Sequence, residues 1–513
     1  MIRRFLAQLL LAGSLVTAGS ASLAQQPQQP RDGGVLRVGI QSEPRSLDPL
    51  LVITDGATGH VVSNIFNTLV RYDAKMQIVP DLATSWRLED DGRAVDFFLR
   101  KGVKFHDGTD FDAAAVKFAF DRILDPANSS PYRNFFKPVE QVVVINPSTV
   151  RVVLSQAWPG FFYQLLYVGG MGIPSPTAVK ALGNAGFARK PVGTGPFKFA
   201  DWAPGDRIVL TKNTSYYRPK MPYLDRLEFK VIPDSTALTT SLRTGQLDLV
   251  RDIPTQLFPL LEKEPSLVPS VKNAYSFDWL ALNAAKPPFN DIRVRQAVNM
   301  AIDRDALALA VYGKGAKGST AQIAGANSFH HPKKLPTFTY DPEKAKKLLA
   351  EAGQSNLKFT LMASTVKPQL AQEATVIQAQ LAKIGVTVTL QVVEHQAWLA
   401  NVLRGKNFEA STVAGTGGPE PNSYVMFWTK DNPINFVSLN NAELFELVPK
   451  AQGIINDAER KKAYHRIQEL GAQEASWMAL MEVPSNAVMA SKVKGYVHLP
   501  YNVSYFDEVW LAP

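Results

Sequence analysis

Alternating apolar and polar positions give a first foothold between Val79 and Ile123. Trp86 and Leu88 alternate up to Asp91-Gly92, a dipeptide that tolerates the positive φ angles of a tight hairpin turn. Val95, Phe97 and Leu99 share one face of a returning strand, with Asp96 and Arg100 on the other. Asp107-Gly108 marks a second turn. Asp112 then suits the start of a helix whose Ala113, Val116, Phe120 and Ile123 recur at helical spacing. Val35 to Ile40 reads as a strand, Leu238 to Leu249 as a helix followed by a strand, and Asn273 to Asn283 as an aromatic-rich strand.

Further along, Asp291 or Asn290 opens a helix with the stripe Val294, Ala297, Val298 and Ala301. Asp341-Pro342 opens another, with Ala345, Leu348, Leu349 and Ala352 inward and Gly353 as its stop. Leu370, Ala374, Ile377, Leu381 and Ile384 mark a third, ended by Gly385. Val386, Val388, Leu390 and Val392 alternate directly after it. Helix, glycine, strand at this spacing is α/β organisation.

Composition narrows the setting. Arg3 and Arg4, an apolar run from Phe5 to about Val16 and the small-residue end Ser22-Leu23-Ala24 form a secretory signal peptide at 1–24, cut before Gln25. The run is too short for a permanent membrane anchor. With no cysteine there is no lipid tether, disulfide or thiol chemistry, so a soluble periplasmic protein is expected. Residues 25–34 are a polar leader, read as disordered. Without the signal arginines the formal charge is about +7 (53 Lys and Arg against 46 Asp and Glu). No dense basic run marks a nucleic-acid face. Val152 to Val179 carries no charge, but prolines, glycines and glutamines interrupt it, so it reads as buried globular chain and not a membrane span.

Several stretches are nearly verbatim motifs. They are Pro80-Asp81-Leu82-Ala83 through Phe105-His106-Asp107-Gly108, Ser46-Leu47-Asp48-Pro49, Gly193-Thr194-Gly195-Pro196-Phe197, the run Pro287 to Ala297, and Tyr340 to Gly353. Together they resemble the family 5 extracellular solute-binding proteins, the peptide-, nickel- and opine-type receptors of ATP-driven importers. The resemblance implies a two-lobed α/β binding protein with an extra domain inserted in the first lobe. Lobe I would comprise 35–58, 186–273 and 488–513, the extra domain 59–185, and lobe II 274–487. The chain would cross between lobes near Asn273 and again within Pro484 to Lys492. A monomer would close on its ligand and dock on a membrane permease.

Catalytic and metal signals are weak. Seven histidines are scattered without a metal-binding spacing, and His106 reads as part of a turn. The Gly193–Gly195 loop lacks the Lys-Ser/Thr of a phosphate-binding loop. Ser-x-x-Lys at Ser364–Lys367 occurs without its usual partner motifs. No enzyme activity, cofactor or metal is therefore expected.

Ligand-site candidates come from the resemblance. Glu43 and Arg45 sit in the loop that touches ligand in relatives. Trp398 falls in a W-x-x-x-x-L-x-G pattern leading to the loop Ala414 to Asn422, from which Gly415, Thr416, Gly417, Glu420 and Asn422 are candidates. Glycines there let backbone approach a ligand, and a surface turn is the alternative reading. Trp279 and Lys367 are further candidates, as a pocket wall or core tryptophan and as a carboxylate partner or solvated helix start. Peptide-binding relatives carry an aspartate early in the loop for the peptide's α-ammonium. Gly417 stands in its place here, with Glu420 the nearest acid. The expected cargo is a short peptide or peptide-like compound. A non-peptide solute (opine, sugar or chelated metal), a periplasmic chaperone or sensor, and a secreted hydrolase remain the other readings.

Overall fold

The computed structural model describes residues 29–51, 56–166, 171–313, 315–330, 335, 339–430, 432 and 434–513. The signal peptide, the first leader residues and His331 lie outside them.

Two long antiparallel strands, Leu267–Leu282 and Trp477–Ala490, carry the architecture. Beside Trp477–Ala490 lie, in order, Leu249–Arg251, Val35–Ile40, Arg226–Val231, Arg207–Lys212 and Phe197–Ala203. Beside Leu267–Leu282 lie Ala410–Thr416, Lys358–Ser364 and Thr387–Val393. Lys317–Gly318 adds a short strand to Trp477–Ala490, completing one mixed sheet of 11 strands. The long strands pair from Leu267↔Ala490 to Lys272↔Ser485, lose register, and resume from Ser276↔Val483 to Ala281↔Trp477, with a second, one-residue shift between Asp278 and Trp279. The expected chain crossings near Asn273 and Pro484 fall at the first of these breaks. Val35–Ile40 is parallel to both its neighbours, an arrangement that needs long crossovers and buries both faces.

A separate four-stranded antiparallel sheet, ordered Ala83–Leu88, Ala94–Leu99, Thr149–Leu154, Val139–Asn146, packs beneath the helix Ala113–Leu124. The expected hairpin is present, with Gly92 at φ 68°. Asp112 caps the helix by accepting from the Ala115 amide at 3.0 Å. Asp96, expected on the polar face, is buried, because Arg87 (2.8 Å) and Arg151 (2.6 Å) bind its two oxygens. The strand Thr149–Leu154 pairs along that edge and supplies Arg151.

The motif residues tie these parts together. Asp48 forms a buried ion pair with Arg122 at 2.7 Å, pinning its loop to the helix Ala113–Leu124. Asp81 accepts from Asn67 and from the Tyr217 hydroxyl and pairs with Arg218 at 3.2 Å. His106 grips the Gly193–Phe197 turn through its backbone amide to Gly193 O (2.8 Å) and Nε2 to Gly195 O (3.0 Å). Burial holds the His106 imidazole neutral, with its pKa lowered to about 4. A Cβ on Gly193 would lie 2.2 Å from the Ile65 carbonyl, so this turn is a packing device.

The helices Ile292–Met300, Pro342–Glu351 and Pro368–Ala382 form with the expected caps at Asp291 and Asp341 and the expected inward stripes. Helices Ala442–Gly453 and Asp457–Glu474 and strands Val139–Asn146 and Thr149–Leu154 were not anticipated. No described helix is long and apolar enough to cross a membrane.

Candidate functional site

A cavity of about 610 Å³ opens between two stretches far apart in sequence. One wall comes from Tyr72 and residues 134–164, the other from the loop Gly418 to Met426 with Gln452, and Tyr501 closes one side. Its size suits a small organic ligand. The aromatic surface is Tyr72, Phe135, Trp158, Tyr163 and Tyr501, with Tyr72 and Tyr501 edge to face at 5.9 Å. Burial raises the Tyr72 phenol well above its ordinary pKa and also raises Tyr163, which has Glu420 nearby, so both stay protonated.

Two of the ten candidates line this cavity, Glu420 and Asn422. Glu420 forms an ion pair with the buried Arg460 and accepts from the Asn422 amide at 3.3 Å, both through Oε1. Arg460 lies over the rings of Phe329 and Tyr464. The other oxygen, Oε2, is enclosed without a protein partner, and a Cβ on Gly160 of the opposite wall would come within 2.5 Å of it. Glycine at 160 thus lets the walls meet.

The remaining eight lie elsewhere. Glu43 accepts from Trp202 Nε1 (2.7 Å) and the Gly205 amide (3.0 Å), clamping a hairpin. Arg45 and Lys367 are exposed and away from the cavity. Trp279 is buried between Phe277 and Trp477. Trp398 is buried and donates to Ser411 Oγ at 2.9 Å. Gly415 pairs with Phe277 in the sheet, and Thr416 bonds Ser276 Oγ at 3.1 Å. Gly417 donates to Tyr275 O at 2.8 Å, and a Cβ there would lie 2.2 Å from the Tyr424 ring. Its glycine accommodates Tyr424, not a ligand.

Sequence reasoning overlooked the 134–164 wall. The uncharged run beginning at Val152 was its signal, because buried chain and cavity wall share that composition. Ser364 proves a decoy. Its Oγ meets His395 Nδ1 at 3.1 Å, but Ser364 is buried and does not line the 610 Å³ cavity. His498 bridges Ser270 and Ser485 at 3.0 Å each, with burial lowering its pKa to about 3. No cluster of three or more metal-ligating side chains occurs among the described residues.

Comparison with known proteins agrees with this architecture. The sequence profile of the bacterial extracellular solute-binding proteins, family 5, matches residues 77–436. Heme-binding protein A of Haemophilus influenzae is 31% identical, the match covering 90% of this chain and 90% of that protein. The glutathione-binding protein GsiB of Escherichia coli K12 is 29% identical over 92% of this chain and 93% of its own length. Among solved structures, the ABC transporter-associated periplasmic binding protein DppA from Helicobacter pylori, in complex with the peptide STSA, superposes with a TM-score of 0.81 at 31% identity. That match covers 94% of this chain and 99% of DppA. These are two-lobed binding proteins, and the cavity lies where two distant parts of one such chain face each other. The chain belongs to family 5 of the bacterial extracellular solute-binding proteins, the solute-capturing components of ABC importers.

Proposed function

We propose that the protein captures a short peptide or peptide-like compound in the 610 Å³ cavity and delivers it to an inner-membrane permease. The observation that carries this reading is the cavity's double parentage. A ligand touching both the 134–164 wall and the 418–426 loop favours the state in which they meet, and so biases an open–closed equilibrium. Two of the relatives' named cargoes, glutathione and the peptide STSA, support the chemical class, and a third, heme, stands outside it. Lobe I comprises 35–58, 186–273 and 488–513, the extra domain 59–185, and lobe II 274–487. Glu420 and Asn422 act as ligand-site residues, joined by Tyr72, Trp158, Tyr163 and Gln164.

The protein works as a monomer in the periplasm, released by cleavage before Gln25 and free of lipid, with no catalytic step and no nucleic-acid partner. Mass spectrometry of solute released by denaturing protein purified from its native periplasm tests the cargo. Short peptides are expected, and each should raise the Tm of ligand-stripped protein. A single non-peptide solute, or none that shifts the Tm, refutes the peptide reading.

A further inference from the structure

The polar lining of the cavity is unusual in being almost entirely uncharged. Five carboxamides face it: Asn134, Gln156, Gln164, Asn422 and Gln452. Three phenols and two serine hydroxyls join them. Lys137, Glu140 and Glu420 are the charged lining residues. Lys137 and Glu140 are exposed, and Glu420 is neutralised from behind by Arg460. Three wall groups are buried with no hydrogen-bond partner among the described residues: the Tyr72 hydroxyl, on a residue only 2% exposed, Gln164 Nε2, and Glu420 Oε2, which faces Gly160 and whose carboxylate is already paired with Arg460. Leaving such groups unpaired is unfavourable, and a ligand offering acceptors relieves it at Tyr72 and Gln164.

A carboxamide presents one acceptor and two donors in a plane, the complement of a peptide bond's C=O and N–H. A fixed charge would instead select an ionised end.

Resting on the reading that the cargo is peptide-like, we propose that this site recognises the ligand's internal amide groups and not its charged termini. Peptides with blocked ends are then full ligands, and the cavity accepts N-acylated and C-amidated peptides alongside free ones. Tyr72 and Gln164 are specificity-determining residues for this class. Glu420 holds the loop in place through Arg460 and does not serve as an ammonium partner.

The test uses a tetrapeptide library in four forms: free, N-acetylated, C-amidated and doubly capped. Each is presented to ligand-stripped full-length mature protein, and retained peptides are identified by mass spectrometry. Affinities of retained sequences are then measured by calorimetry at about 0.05 M and about 0.5 M salt. Capped forms should bind within about threefold of free forms, with a salt effect of similar size. Gln164→Leu should weaken all four forms about tenfold without lowering Tm, since the Nε2 it removes has no protein partner among the described residues. Lys367→Ala, which removes an exposed charge away from the cavity, should leave affinity within about twofold.

Retention of the free form alone, or a more than tenfold preference for it, overturns the inference while leaving a peptide cargo intact. So does a Gln164→Leu variant that binds like wild type. Failure to retain any of the four forms overturns the peptide reading itself, and this inference with it.

Discussion

The motif residues and the cavity wall use their polar groups in opposite ways. Asp48, Asp81, His106 and Glu43 belong to the stretches by which the family is recognised, and each is engaged by other parts of the protein: Arg122, Arg218 with Tyr217, the Gly193–Gly195 turn, and Trp202. Tyr72 and Gln164 lie outside those motifs and keep buried polar atoms unmatched. The first set holds parts of the chain together, and the second comprises the groups we propose a solute engages. On the proposed reading, the recognisable residues specify the fold, and selectivity rests with residues outside those motifs.

Substitutions can break this contrast at several strengths. The largest effect is expected from Asp48→Ala, which leaves the Arg122 guanidinium buried without its carboxylate. Stability in urea should fall by about 3–5 kcal/mol, while ligand affinity of the remaining folded protein stays unchanged. A changed affinity would mean that the motif set reaches the ligand after all. Next, Gly417→Asp forces atoms into the Tyr424 ring and should cost about 1–3 kcal/mol in the same assay, with no gain in affinity for free-amine peptides.

A smaller and pH-dependent effect concerns Glu373, fully buried beside Asp278, which also accepts from the Tyr312 hydroxyl at 2.5 Å. Burial, reinforced by Asp278, raises the Glu373 pKa well above its ordinary value of 4.5. The folded state therefore holds a proton that the unfolded chain releases. The associated stability is complete below pH 4.5 and is lost as pH climbs through the raised folded value. Glu373→Gln removes this slope. Relative to wild type, the variant should gain stability as pH rises from 5 to 8 in urea titrations. A constant difference across that range would show the carboxyl ionised throughout. The smallest effect is the stability change of Gln164→Leu, expected within about 0.5 kcal/mol of zero in thermal unfolding.

Much of the framework was legible in the sequence, because local signals agreed with the final packing. Asp112, Asp291 and Asp341 cap the helices their spacing announced, and Val95, Phe97 and Leu99 turn inward together. What escaped reading depended on tertiary partners. The strand Leu267–Leu282 begins six residues before its aromatic signal, since Val268 and Val271 stay exposed and Pro269 disrupts the pattern. Trp279 was open to two readings, pocket wall or core, and Trp398 was a site candidate, because an aromatic residue in sequence does not reveal which surface covers it. Both are enclosed by other aromatic side chains. Gly417 suggested room for a ligand, but the occupant of that room, Tyr424, was seven residues away and invisible to spacing alone.

The unbroken central sheet has a consequence for how the halves can move. No flexible linker joins them at the two long strands. Motion there is expected as bending of a two-stranded ribbon at the wider of its two register breaks, between Lys272 and Ser276. Backbone rungs on either side should travel as intact blocks, so amide hydrogen exchange would show two slow zones separated by a narrow fast seam at residues 273–275. Adding cargo should slow the seam and leave the blocks untouched, which would make a few backbone amides the reporter of capture.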